Sequence, residues 1–213
     1  MMLFALVKKD FLLIKKYVPA MLFLVIFLPP FMRWTASEFA GAFGFIISIL
    51  FSSTMLLHSV SLKEYQFPKA ATLLCATPFS RKMVVLSRYI FCMAVYGTCC
   101  IVLVIVDLIV PKLGTADIKL FVLMFLVIAV YTGVYLPIQF KLGFEKAKFA
   151  FAAIYGSSPL ILLQLLRMEI FNLDFLSTLS PHLVYGSAVL IGFIVFAISA
   201  LLSIKIYDRA DLA

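Results

Sequence analysis

Six long apolar runs, separated by short clusters of charged, proline and glycine residues, set the pattern of this chain. Four of them, 39–60, 89–110, 120–140 and 183–206, each have roughly the 20 residues that an α-helix needs to cross about 30 Å of hydrocarbon. The other two are less regular. The run 17–32 is short, with Pro19 at its start and Pro29 and Pro30 near its end. The run 147–166 contains Gly156, Ser157, Ser158 and Pro159, where a kink or a local break is expected. All six are continuously apolar rather than alternating with a period of two, which argues against a β-barrel. The expected fold is therefore all-α: a polytopic membrane protein of six transmembrane helices, forming one domain over 1–213. No soluble domain is expected, because the longest polar connection is 61–87.

Composition agrees, with 65% hydrophobic residues, 22 Phe and only 13% charged residues, far from the values of soluble domains. The placement of charge adds a topology. Lys8, Lys9, Lys15 and Lys16 precede the first span. Lys63, Lys69, Arg81, Lys82 and Arg88 lie in the second turn, Lys141, Lys146 and Lys148 in the fourth, and Lys205 and Arg209 after the last span. Together these are 14 of the 18 basic residues. Arg33, Lys112, Lys119 and Arg167 fall on the opposite side. By the positive-inside rule both ends of the chain and the even-numbered turns are cytoplasmic. The net charge of +8 then reads as membrane-facing charge and not as a nucleic-acid footprint.

Residues 1–17 mix apolar and basic positions, as in an interfacial helix with its lysines near anionic headgroups, or as in an uncleaved lead-in to the first span. Apolar residues precede Lys8 and Lys9 rather than follow them, so a cleaved signal peptide is not expected.

The connection 62–88 is more than a simple turn. Pro68 permits a helix to start, 70–76 gives a short amphipathic helix, and Thr77-Pro78 stops it. Ser80 is placed to cap a second helix that runs through 81–88 into the third span. Leu73, Leu74 and Phe79 supply apolar surface at the membrane face. Twenty-seven residues with this pattern suggest a docking surface for a cytoplasmic partner, the alternative being an ordinary interfacial loop.

These residues carry a resemblance. Glu64, then Leu74-Cys75-Ala76-Thr77-Pro78-Phe79-Ser80-Arg81 running into Leu86-Ser87-Arg88-Tyr89, then the stretch 136–147 and finally 203–212, are similar in order and position to ABC-2 type transporter permeases. The likeness spans nearly the whole chain. It is greatest to small six-span bacterial exporters of amphipathic and antimicrobial peptides, of the phenol-soluble-modulin exporter type. The resemblance implies the transmembrane subunit of an ATP-driven peptide exporter in the bacterial plasma membrane. Its partners would be two ATP-binding-cassette ATPase subunits, which would hold ATP and Mg, a second copy of the chain or a related permease, and membrane lipid. It places a cytoplasmic coupling helix within 64–88, between spans two and three. There Glu64, Leu73, Leu74, Phe79, Arg81 and Lys82 would meet the ATPase, with a second contact at Phe144 and Glu145. It also makes residues 1–17 a membrane-surface helix flanking the same ATPase, and divides the fifth span near Pro159. One departure is Thr77, where relatives carry an aliphatic residue before the proline. Export of a lantibiotic or another toxic hydrophobic compound for self-immunity is the alternative substrate reading. A non-transporting scaffold or regulatory subunit is the alternative of a different class.

No phosphate-binding loop of the Gly-x-x-x-x-Gly-Lys-Ser/Thr type occurs, so the chain is not expected to hydrolyse ATP itself or to hold a cofactor. Cys75, Cys92, Cys99 and Cys100 show no zinc-like spacing, and no catalytic constellation is expected. Polar residues inside the spans are few. Ser48, Ser52, Ser53, Thr54, Ser157 and Ser158 are candidates for lining a translocation path or for close helix packing. Asp107, near the outer end of the third span, could orient a cationic substrate, pair with Lys112 or reach the outer interface. His58 reads as a helix-packing or interfacial histidine.

Overall fold

The computed structural model describes residues 2–35, 39–67, 80–110, 118–167 and 181–209. They form six helices: α1 (Met2–Leu13), α2 (Val18–Thr35), α3 (Phe39–Gln66), α4 (Arg81–Ile109), α5 (Ile118–Arg167) and α6 (Pro181–Arg209). Helix is the state that satisfies every backbone donor and acceptor within a segment when no water is at hand, and these runs of Leu, Ile, Phe and Val offer nothing that competes for those groups. Among the described residues, four stretches are long and apolar enough to cross a membrane: Gly44–Gln66, Lys82–Ile109, Leu120–Ala147 and Tyr185–Asp208. A fifth arises if α1 and α2 count as one bent unit, since Leu3–Leu13 and Val18–Met32 meet at 77°. The protein is thus an all-α polytopic membrane protein with four to five candidate spans, where the sequence suggested six. Of the two irregular runs, 17–32 lies in α2 and 147–166 lies in the far limb of α5.

Three boundaries move from where the hydrophobic pattern put them. Helix α3 continues through the polar residues 61–66, which shortens the expected connection 61–87 to the residues between Gln66 and Arg81. Ser61 Oγ donates back to Leu57 O at 2.8 Å, and Glu64 finds cationic partners, so polarity does not end the helix. Ser80 does start α4: its backbone is extended (φ −68°, ψ 146°) and the Met83 N–H donates to its side-chain oxygen at 3.4 Å. The fourth turn is not a loop. Residues 118–167 run as one helical segment, broken at Gly143 with φ 75° and ψ 173°, a conformation that the absence of a Cβ makes accessible. The break is therefore at Gly143 and not at Pro159, through which the backbone stays helical.

Helix α4 sits at the centre and touches all five of the others. Val85, Phe91, Val95, Cys99 and Leu103 form its buried stripe. Packed against it are Ile14 just after α1, Met21 and Val25 of α2, Phe45, Ile49, Leu56 and Leu57 of α3, and Met124, Ile128 and Leu136 of α5. Helix pairs α5–α6 and α2–α3 make the broadest contacts. At Gly192 on α6, a Cβ would come within 2.6 Å of the Phe125 ring, so only a bare backbone admits that ring between the helices. Tyr89 hydrogen-bonds Ser199 and Ser203 at 2.6 and 2.8 Å, and Ser199 Oγ donates to Gly133 O at 2.7 Å, which ties α4, α5 and α6 together. The other face of α6, including Leu190, Phe193, Ile198 and Leu201, is exposed, as a lipid-facing surface would be.

Candidate functional site

One end of the bundle gathers the chemistry. The N-terminal segment buries Leu6 and Asp10 of α1 and Ile14 just after it, a stripe four residues apart, against the base of α4. The stripe contains a carboxylate because α4 presents Arg88, in line with Val85 and Cys92, at the same level. Asp10 is 1% and Arg88 4% exposed at the side chain. Arg88 Nη1 lies 3.7 Å from Asp10 Oδ2, and Arg88 Nη2 pairs with Glu64 Oε2 at the end of α3. Lys9 completes the group, 3.1 Å from Glu64 Oε1 and 3.3 Å from Asp10 Oδ1. Two cations thus face two carboxylates, joining α1, α3 and α4. Among the described residues neither Asp10 oxygen accepts a hydrogen bond, so Asp10 is held by charge at ion-pair distance. It lies outside the four long apolar helices. Burial pushes its carboxyl above the ordinary range, against the opposing pull of Arg88 and then Lys9.

A second group lies beside the first. Tyr65, next to Glu64, donates its hydroxyl to Glu145 Oε1 at 2.8 Å. The Phe144 ring packs against Tyr65 and His58, with centroids 5.6 and 5.0 Å apart. Gln139 Nε2 donates to Ser61 Oγ. The turn at Gly143 is what brings Phe144 and Glu145 onto the end of α3. Phe140 of α5 meets Tyr207 of α6 at 5.2 Å. The N-terminal helix, the end of α3, the start of α4, the α5 break and the end of α6 therefore share one end of the molecule.

The expected coupling residues divide accordingly. Glu64, Phe144 and Glu145 come together around Tyr65. Lys82 is exposed on the first turn of α4. Arg81 opens α4, and its side chain lies outside what is described, as do Leu73, Leu74, Phe79 and the expected coupling helix at 70–76. Of the path candidates, Ser48 donates to Phe45 O at 2.9 Å and Thr54 to Leu50 O at 2.7 Å, both within α3. Ser52 and Ser53 are buried, and their hydroxyls make no hydrogen bond among the described residues. Ser157 and Ser158 lie in the far limb of α5, with undescribed side chains. Asp107 is half-buried near the end of α4, away from the charge cluster. No group of three or more His, Cys, Asp or Glu side chains among the described residues is arranged to hold a metal ion.

Comparison with known protein families decides what this membrane bundle is. The family described as ABC-2 family transporter protein matches residues 5–208, nearly the whole chain. The chain belongs to the ABC-2 transporter family. No curated protein and no solved structure matches. As an ABC-2 protein it is the membrane permease component of an ABC-type transport system, without ATPase activity of its own. ABC-2 permeases pair with separate ATP-binding-cassette ATPase subunits and work within lipid. The match starts within α1 and ends within α6, so the helix carrying Asp10 is part of the ABC-2 domain rather than an appendage.

Proposed function

We propose that this ABC-2 permease exports amphipathic peptides across the bacterial plasma membrane, driven by two ATPase subunits that hold ATP and Mg. In this reading 1–213 is one permease domain with six spans, α2 and the far limb of α5 supplying the two irregular ones. A second copy or a related permease completes the path. The gathered end faces the cytoplasm, where Lys8, Lys9, Lys63, Lys82, Lys141, Lys146 and Lys205 lie on the helix segments that meet there.

The observation that carries the reading is the Tyr65–Glu145 contact, with Phe144 packed on Tyr65. It joins the two segments expected to meet the ATPase, immediately before the connection that contains the expected coupling helix. A push on that connection is delivered at once to α3, α4 and the break in α5. ATP-driven closure of the ATPase pair would pull on these segments and rearrange the bundle, and hydrolysis would reset it. An amphipathic substrate suits the chemistry of the spans. Ser48 and Thr54 spend their hydroxyls on their own helix, whereas a dehydrated ion would need converging oxygen ligands or a ring of charge.

Replacing Arg81 with Glu in the docking turn tests the coupling contact. The variant is expected to insert normally and to lose most of its co-purifying ATPase. Undiminished co-purification together with undiminished transport would remove Arg81 from the contact.

A further inference from the structure

The outward face of α1 is turned away from the bundle core. Ala5, Lys8, Lys9, Leu12 and Leu13 form it, on successive turns of one helix. It is apolar apart from the two lysines, whose carbon stems extend that apolar surface; Lys8 is exposed and Lys9 half-buried at its edge. Phe4 and Leu12, 78% and 62% exposed, stand on it. The helix turns by 77° from α2, so when α2 stands across the bilayer α1 lies nearly along its surface. An apolar helix face carrying two lysines, at headgroup depth, matches an amphiphile with one anionic head. Lys9 is also the cation that holds Glu64 at 3.1 Å and Asp10 at 3.3 Å.

We propose that this face binds an anionic phospholipid, with an acyl chain along Ala5, Leu12 and Leu13 and the headgroup phosphate on Lys8 and Lys9. The phosphate and Glu64 share Lys9, so lipid binding and the α1–α3 ion pair compete for one ammonium. A lipid that takes Lys9 leaves Asp10 and Glu64 with Arg88 alone. By linkage, anything that weakens the Glu64 hold on Lys9 tightens the lipid, and the converse also holds. The lipid headgroup thereby reaches the junction of α1, α3 and α4.

The test places the sole tryptophan of the full chain on this face, as Phe4→Trp in a Trp34→Phe background. Its quenching is measured in phosphatidylcholine vesicles containing brominated phosphatidylglycerol or brominated phosphatidylcholine. Brominated phosphatidylglycerol is expected to quench selectively. Lys8→Gln or Lys9→Gln should each reduce that preference about fivefold, taking ~1 kcal/mol per lysine at an anionic surface. Lys9→Arg should retain it. Glu64→Gln should strengthen the preference severalfold. Glu145→Gln, which removes the same charge at the same end without touching Lys9, should change it much less. Equal quenching by the two lipids would overturn the site. Equal effects of Glu64→Gln and Glu145→Gln would overturn the shared lysine and leave only diffuse surface attraction. Circular dichroism and a single chromatographic peak for each variant keep a folding defect from imitating either result.

Discussion

Arg88 is the residue that joins the helices at the gathered end of the bundle. It is buried and faces two carboxylates, one on α1 and one on α3. Removing one partner of a buried ion pair leaves uncompensated charge and costs about 3–5 kcal/mol, far more than cutting a surface pair. Arg88→Ala is therefore expected to lower the thermal midpoint of the purified protein sharply, measured by thiol-reactive dye unfolding. Lys82→Ala, an exposed cation on the same helix, should leave it nearly unchanged. The sequence held a signal for this cluster that the topology argument passed over. Asp10 lies four residues from both Leu6 and Ile14, and Arg88 lies three after Val85 and four before Cys92. A lone charge in phase with an apolar helical stripe is a buried charge seeking a partner. Counting Arg88 as one more cytoplasmic cation missed the partners it meets. The partner itself was not legible, because nothing local relates Asp10 to a residue 78 positions away. Path residues fared differently. Ser48 and Thr54 were visible as small hydroxyls, but their bonds to Phe45 O and Leu50 O are made within α3, a choice that composition does not reveal.

Among the elements, α5 shows most clearly where an apolar pattern succeeds and stops. The run 120–140 was plain in the sequence. The segment after it looked like a loop because it carries Lys141, Gly143, Glu145 and Lys146, yet it is helix on either side of one residue. Gly143 at φ 75° is an affordable turn for glycine, whereas any L side chain there meets its own backbone. Gly143→Ala should cost about 1–2 kcal/mol and swing the far limb away from α3. A flexible bis-maleimide that bridges Tyr65→Cys and Glu145→Cys readily in the Gly143 background should then bridge them slowly. The α5–α6 seam gives a second prediction. Gly192→Ala places a methyl group against the Phe125 ring, 2.6 Å from the Cβ position, and overpacking of this kind costs about 1–3 kcal/mol. Phe125→Leu in the same chain should recover part of that loss in thermal unfolding, because the smaller side chain vacates the contact. Helix ends were the least legible feature. The polar stretch 61–66 stays helical because Ser61, Glu64 and Tyr65 find partners on α1, α4 and α5, and tertiary contacts of that sort leave no mark on hydropathy.

Across the whole molecule, fold class and family were the most legible properties. Continuous apolar runs and segregated lysines pointed to an all-α membrane protein, and the ABC-2 match over 5–208 agrees with the resemblance carried by 64–89, 136–147 and 203–212. The count of six spans depends on two segments whose length or apolarity is marginal, and among the described residues four helices, or five with the bent α1–α2 unit, meet the requirement on their own. The proposed topology can be read by labelling single cysteines with a membrane-impermeant maleimide in a cysteine-free chain. Lys82→Cys is expected to react only after the membrane is opened, and Lys112→Cys in intact cells. The central claim is that ATP turnover by a separate subunit drives amphipathic peptides through this bundle. Its most direct test is the ATPase rate of the chain co-purified with its ATPase subunit, reconstituted in lipid, with and without added amphipathic peptide. The account predicts turnover that requires this chain and rises severalfold with peptide. A stable complex whose turnover ignores every amphipathic peptide would contradict the substrate assignment, and failure to form any ATPase complex would contradict the energy coupling itself.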